Sequence, residues 1–424
     1  MESKYDNIVF FVRAYNDLDH FVPIIWKFIK EGKSPIVIFY TDIDYKDDYR
    51  IKILKRAGDF EIYNFFDNEY VKYQNNSNGI FFKFFKKLYN LKRDPDSFVG
   101  KVHRRLFFDC SDEINFLKKN SVRQCVFEWS TPYSRGEVVE KFFKAAKTTG
   151  LTTISIPHGC NIYTHPDVNI GYRSLSKRGK IVDASHRNEY DYYIFQNPVR
   201  RDGWVKWGYD PVKTQAWGSG RFHPTWQKLN LKNCPPLQLN KDSKERLKVV
   251  FMDHQKDYNV YVDKIWSLLN RIAKNDNIHL IIKQSTRAGK DYHSKSFRNK
   301  YRDANNVEFV GNENHSPKLI EWSDCVINFG SSIGMEVLLQ NKPLINPYYL
   351  HSNRTLFEKY DAALNANSED EVMNILNAIS SGDSIEITVE NKNKLYREII
   401  YGGKDEHDVL QSYHDKITAN YLNY

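Results

Sequence analysis

The segment SDCVINFGSSIGMEVLLQNKPLI, residues 323–345, places hydroxyl side chains and one carboxylate where an apolar run hands over to a helix-patterned run. Cys325–Phe329 reads as a strand, Gly330, Ser331, Ser332 and Gly334 as a turn, and Met335–Leu339 as a helix carrying Glu336. In an open α/β sheet, ligands bind beyond the carboxyl ends of strands. Backbone N–H groups at a helix start suit phosphate there. The glycines permit close backbone approach, and Ser331 and Ser332 can donate hydrogen bonds. Glu336, four residues after Ser332 and about one turn into the helix, can accept from two ribose hydroxyls. Nucleotide binding is the function these residue types support; a serine-capped helix with a solvent-facing glutamate is the structural alternative. No Walker A sequence is present, and the N-terminal strand does not lead into GxGxxG, so the usual cues for ATPase or dinucleotide chemistry are missing.

The segment resembles the donor-binding part of GT-B enzymes. It is most similar to the superfamily containing teichoic-acid glycerophosphotransferases, capsule Kdo transferases and UDP-N-acetylglucosamine 2-epimerases. The resemblance implies a small-residue turn on the donor phosphates and a helix acid, matched by Glu336, on the ribose. Asn341–Pro343 matches the small-residue/Lys/Pro exit from that helix. A second glycine or aspartate frequent near the turn is replaced here by GSSIG. TTISIPHGCNIYT (152–164) is similar to the strand–His–Gly turn of teichoic-acid-type transferases. Carried over, His158 becomes the leading catalytic candidate, taking an acceptor proton near neutral pH or stabilising a transferring phosphate. Gly159 permits the tight approach; a structural histidine is the alternative.

Further candidates flank the same cleft. In QAWGSGRFHPTW (215–226), Gly218, Ser219 and Gly220 can form a phosphate-facing turn and Arg221 can neutralise donor charge, or they can simply bend the chain between domains. Lys283, Ser285, Thr286 and Arg287 in IIKQSTRAGK offer donors to phosphate, and similar transferases often carry a basic residue near there. His315 resembles the base- and phosphate-recognition turn of a GT-B donor domain. On the N-terminal side, Arg13 follows a strand and can meet an acceptor phosphate or carboxylate. Asp109 and Glu128 can orient hydroxyls, or Glu128 can act as base; separate salt bridges or helix caps account for them equally well.

The elements that must hold these residues follow from apolar runs of strand length. IVFFV (8–12), PIVIFY (35–40), RQCVFEW (123–129), LTTISIP (151–157), YYIFQN (192–197) and KTQAWGSG (213–220) form a first series, with helices between the first pair and over 134–149. A polar stretch, 221–248, with Pro235 and Pro236, reads as an interdomain connection. LKVVFM (247–252), IHLIIK (278–283), NVEFVG (306–311), CVINF (325–329) and PLINP (343–347) form a second series, with helices over 259–274, 314–322, from about 332, 369–379 and 393–402. The expected fold is α/β: two doubly wound, Rossmann-like domains facing a cleft. An acceptor-side domain spans 1–226, a linker 227–246, a nucleotide-donor domain 247–390 and a helical tail 391–424.

Composition bounds the rest. The chain has 424 residues, 41% hydrophobic and 15% aromatic, enough for substantial cores. Mean hydropathy is −0.63 and no apolar run of spanning length appears. The N-terminus reads as a first strand rather than a signal peptide. Five scattered cysteines fit free thiols in a reducing cytoplasm. The formal charge of +9 favours anionic partners. Residues 76–94 interleave phenylalanines with lysines, which suits an anionic membrane surface or a helix with a solvated basic face; no nucleic-acid motif is present.

The expectation is a cytoplasmic glycosyltransferase, peripheral on the inner face of the membrane if 76–94 touches lipid. It would move a sugar from a CMP-, UDP- or CDP-linked donor to a surface polysaccharide or lipid-linked acceptor. Arg, Lys and helix N–H groups would neutralise the leaving nucleotide without a metal or a separate cofactor. The alternatives are transfer of a polyol phosphate from a CDP-linked donor, nucleotide-sugar 2-epimerisation, and a catalytically inactive GT-B-like binding protein.

Overall fold

The computed structural model describes residues 7–65, 110–129, 132, 137–241, 245–284 and 299–418, less positions 42, 181, 255, 256, 302, 303 and 384. The expectations for Asp109, Ser285, Thr286, Arg287 and the basic aromatic stretch 76–94 lie outside the described residues.

The apolar runs form two sheets, each parallel throughout. In the first lobe, β1 (Asn7–Val12), β2 (Ile36–Phe39), β3 (Glu61–Asn64), β4 (Val122–Glu128), β5 (Thr152–Ile156), β6 (Tyr192–Phe195) and β7 (Thr214–Ala216) lie in the order β3-β2-β1-β4-β5-β6-β7. In the second, β8 (Leu247–Met252), β9 (Ile278–Lys283), β10 (Val307–Val310), β11 (Cys325–Asn328), β12 (Leu344–Pro347) and β13 (Leu364–Ala366) lie in the order β10-β9-β8-β11-β12-β13. Strand order reverses between β1 and β4 and again between β8 and β11. Such switch points open a crevice at strand carboxyl ends.

Parallel strands need helices on both faces, and so their residues are apolar on both faces. Val9, Phe10, Phe11 and Val12 of β1 are all fully buried, as are Val249, Val250 and Phe251 of β8. Amphipathic helices supply the cover. Helix Tyr15–Lys30 buries Leu18, Phe21, Val22, Ile25, Phe28 and Ile29, and helix Val262–Ala273 buries Ile265, Leu268, Leu269 and Ile272. Both sets follow the helical period.

Two edge strands, β3 and β13, depart from expectation, as do helices Tyr49–Ala57, Ser111–Lys119, Ile170–Lys177 and Pro198–Val205. β3 and β13 are short and only partly buried, so their apolar signal is weak. The polar connection is also more ordered than expected. Helix Pro224–Asn233 begins with proline at its first turn, where the missing N–H costs nothing.

The chain end returns to the first lobe. After helix Val389–Ile399, helix Val409–Thr418 lies beside Tyr15–Lys30, with the His414 and Phe28 rings 4.9 Å apart. The turn at Gly218 receives this return. Ser219 N–H donates to the Ile400 carbonyl at 2.9 Å, and Tyr413 Oη–H to that of Gly218 at 3.0 Å. Gly218 has φ +87°, and a Cβ there would sit 2.1 Å from the Ile400 oxygen. Glycine is required by backbone meeting backbone.

Candidate functional site

The carboxyl ends of β1, β4, β5, β8, β9 and β11 converge on one interlobe cavity of about 660 Å³. Its first-lobe wall includes Trp129, His158, Gly159, Arg200 and Arg221; its second-lobe wall includes His254, Lys283, His315, Ser331, Ser332 and Glu336. Arg13, Glu128 and Ser219 are not among the lining residues.

On the first-lobe side, β4 ends at Glu128 and β5 leads into Pro157–His158–Gly159. The Glu128 side chain is only 2% exposed, and its Oε2 lies 2.7 Å from His158 Nδ1. A carboxylate there accepts from Nδ1–H, which makes Nε2 the basic nitrogen of the neutral ring. Arg13 Nη1 stands 3.5 Å from Glu128 Oε1, so its charge answers that carboxylate.

Asp17 completes this group and was not foreseen. It is fully buried, and Oδ2 accepts the backbone N–H of Arg13 at 2.7 Å and Ala14 at 3.0 Å, while Oδ1 has no hydrogen-bond partner. Burial first, and then the charge of Glu128, raises its carboxyl to about 6. The signal lay in RAYND, an acid just beyond a strand end and within the first turn of the next helix. Ligand atoms of Asp17, Glu128 and His158 lie within 4.8 Å of one another, close enough to hold a divalent cation between them.

On the second-lobe side, the 323–345 segment folds as strand, turn and helix, but the helix is short. It spans Gly334–Leu339, and Glu336 therefore lies in the first turn rather than one turn inside. Its glycines meet protein. Gly330 has φ +68°, and a Cβ there would lie 2.8 Å from Tyr163 Oη and 3.0 Å from the His254 ring. Tyr163 Oη–H donates to the Gly330 carbonyl at 2.6 Å; its oxygen then accepts His254 Nε2–H at 2.8 Å. Asn328 Nδ2 fixes the turn through the Ser331 carbonyl at 2.9 Å. Ser331 and Ser332 remain partly exposed toward the cavity.

Glu336 is 1% exposed. Its Oε1 accepts Arg221 Nε–H at 2.9 Å and Nη2–H at 2.6 Å, while Oε2 is buried with no hydrogen-bond partner. Burial raises its carboxyl despite Arg221. The pair belongs to an alternating chain: Arg221 lies 3.4 Å from Asp19, Asp19 bonds Arg50, and Arg50 grips Asp48 through two donors at 2.6 and 2.9 Å. Arg221 is thereby matched by two carboxylates, which leaves it little charge for a donor. The two partners lie 115 positions apart, beyond the reach of any local sequence pattern.

Lys283, at the end of β9, is 4% exposed and donates to the Gly311 carbonyl. Burial lowers its ammonium to about 8. His315 precedes helix Ser316–Trp322 and meets the Tyr49 ring at 4.9 Å, edge to face; burial and then Arg50 lower its imidazolium, favouring the neutral ring. Ser219 is 1% exposed and belongs to the Gly218–Ile400 contact, away from the cavity lining. The structure thus brings His158, Gly159, Arg221, Lys283, His315, Ser331, Ser332 and Glu336 around one space. Arg13 and Glu128 stand behind His158.

A capsule polysaccharide biosynthesis family model matches residues 228–349, the span from the connecting helix through β12. No curated protein sequence matches the chain significantly. Solved structures match across both lobes. A glycosyltransferase from Rickettsia africae is 12% identical over 99% of this chain and 100% of its own, with a TM-score of 0.57. A UDP-GlcNAc 2-epimerase from Neisseria meningitidis bound to UDP-GlcNAc is 9% identical over 98% and 100%, with a TM-score of 0.57. Anabaena HepE in complex with UDP-glucose is 10% identical over 98% and 100%, with a TM-score of 0.54. At these identities the likeness establishes architecture: two parallel α/β domains around a cleft, the GT-B-type fold shared with these proteins.

Proposed function

We propose that the protein is a glycosyltransferase of surface-polysaccharide synthesis, taking a sugar from a nucleotide-linked donor to a saccharide or lipid-linked acceptor. The observation that carries this reading is the facing of two chemistries across one cavity. A carboxylate-oriented imidazole, His158 on Glu128, opposes a wall that holds two serines, a buried lysine and the buried, unpartnered oxygen of Glu336. The capsule family match and the sugar-nucleotide ligands of HepE and the Neisseria epimerase support the substrate class.

In the proposed reaction the acceptor oxygen attacks the anomeric carbon of the donor. His158 Nε2 takes the hydroxyl proton, and the bond from that carbon to the nucleotide phosphate breaks with its electron pair on phosphate. Lys283, Ser331 and Ser332 hold the departing charge, and Glu336 Oε2 accepts from ribose. Preorganised donors supply the stabilisation.

Epimerisation of a nucleotide sugar is the second reading. It is favoured by the Asp17–Glu128 carboxyl pair, one member of which is raised toward neutrality. A screen of UDP-, CMP- and CDP-linked donors, with and without saccharide acceptors, separates the two. Nucleotide release that requires an acceptor supports transfer; interconversion of the donor without acceptor establishes epimerisation. Stable binding without either reaction identifies a binding protein.

A further inference from the structure

We propose that the first-lobe wall of the cavity binds an acidic saccharide, with Arg200 receiving its carboxylate or phosphate oxygens and the neighbouring aromatic rings packing on the sugar. This rests on the sugar-transfer reading above and names the charge of one substrate.

Arg200 lies in the first turn of helix Pro198–Val205 and lines the cavity. Other arginines nearby are answered by acids: Arg13 by Glu128, Arg50 by Asp19 and Asp48, Arg221 by Asp19 and Glu336. Among the described residues Arg200 forms no ion pair, and its Nη1 is buried without a hydrogen-bond partner. Burial lowers its guanidinium to about 10, and the groups that chiefly offset this are tyrosines, Tyr172, Tyr258, Tyr209 and Tyr163, rather than acids. It remains a cation at neutral pH. A cation taken out of water without a partner is costly, and cavity-side oxyanions are what would complete it.

The surroundings specify more than an anion. The Arg200 guanidinium sits 5.0 Å over the Trp204 ring. Trp129 meets Trp204 at 5.6 Å, and Tyr172 stands perpendicular to it at 6.4 Å. Trp129 and Tyr172 are partly exposed, and both line the cavity beside Arg200. Partly exposed aromatic faces beside a cation suit a sugar ring that carries an acid better than a bare phosphate. The position also fits an acceptor. Asn197, which caps the Arg200 helix, donates through Nδ2 to the Asn161 carbonyl at 2.9 Å, three residues after His158. The helix bearing Arg200 is therefore fastened to the loop bearing the imidazole.

The test uses the whole protein and four probes in calorimetric titration: methyl glucuronide, glucose 6-phosphate, neutral methyl glucoside, and UDP. At least one acidic sugar should bind about 10- to 100-fold more tightly than the glucoside, the range expected for a hydrogen-bonded charge contact. Arg200→Gln should erase that preference and leave UDP affinity within about threefold. Equal binding of the three sugars by the wild-type protein overturns the proposal without any variant. So does an Arg200→Gln protein that keeps its acidic preference, or one that loses UDP affinity alone, which would make Arg200 a nucleotide-phosphate anchor. If UDP does not bind at all while the acidic preference depends on Arg200, the nucleotide reading fails and the acidic-sugar site stands.

Discussion

Glu336 offers the sharpest test of the nucleotide reading, because its two oxygens have different surroundings. Oε1 is taken by two Arg221 donors, whereas Oε2 is buried and without a hydrogen-bond partner. If ribose hydroxyls donate to Oε2, each bond to a carboxylate contributes about 1.5–3 kcal/mol, or about 10- to 150-fold in affinity. Glu336→Gln isolates that contribution. The amide oxygen can still accept from Arg221, and the amide NH2 replaces Oε2 with a group that cannot accept. Glu336→Ala is a poorer choice, since stranding a partner of a buried ion pair costs about 3–5 kcal/mol by itself. The assay is a four-cornered titration: UDP and 2′,3′-dideoxy-UDP against wild type and Glu336→Gln, with unfolding midpoints as a control. The wild type should lose at least about 10- to 150-fold on removal of the hydroxyls, the worth of one such bond, and the variant less than about threefold. Equal affinity of the wild type for both nucleotides, or full discrimination retained by the variant, refutes the assignment and leaves Glu336 as an interlobe ion-pair residue only.

Three other outcomes follow from the same geometry. His158→Ala should lower kcat by about 10²- to 10⁴-fold with donor affinity little changed, and Glu128→Gln should do likewise by offering an N–H to Nδ1 and moving the ring proton to Nε2; normal turnover at saturating substrates excludes the base. Lys283 titrates near 8, so nucleotide affinity should weaken as pH rises from about 7 to 9 and should do so far less in Lys283→Met; parallel profiles would remove Lys283 from the phosphate site. Asp17 holds its proton up to about 6 in the folded state against 3.8 unfolded, so between those values the unfolded chain binds fewer protons and stability falls as pH rises, by about 3 kcal/mol in all. Asp17→Asn should remove that decline, read as the difference between wild-type and variant denaturation curves at the two ends of the window; identical slopes would show that Asp17 ionises normally.

Much of the frame was legible because its signals are local. Fully buried parallel strands announce themselves as apolar runs, and LKVVFM and IHLIIK were bounded to the residue. The His158 and Glu336 neighbourhoods were also legible, since strand ends followed by small residues mark the cleft edge. What escaped depends on contacts distant in sequence. Gly218, Ser219 and Gly220 look like a phosphate turn, yet Gly218 is small because the Ile400 carbonyl lies against it. Gly330 likewise makes room for Tyr163 and His254. Arg221 and Arg13 carry the right charge for an anion, but acids from elsewhere in the chain reach them first. Arg200, from a stretch with no motif, is a cavity-lining cation that forms no ion pair among the described residues.

The same long-range contacts explain why the two walls should act together. The loop that begins at His158 runs directly into the second lobe: Leu356 N–H donates to the Ile162 carbonyl at 2.8 Å, and Thr164 N–H to that of Arg354 at 3.0 Å. Between these, Tyr163 holds the Gly330 carbonyl, one residue before the serine turn. His158 is therefore five residues from the side chain that fixes the proposed phosphate turn. A second tie, Arg221 to Glu336, joins the crossover to the helix that follows this turn. Lobe rotation must either break these bonds or carry the His158 loop with the second lobe. Buried hydrogen bonds and a buried ion pair are expensive to leave unmade, so the second course is favoured. The His158 imidazole and the proposed phosphate turn would then move as one unit.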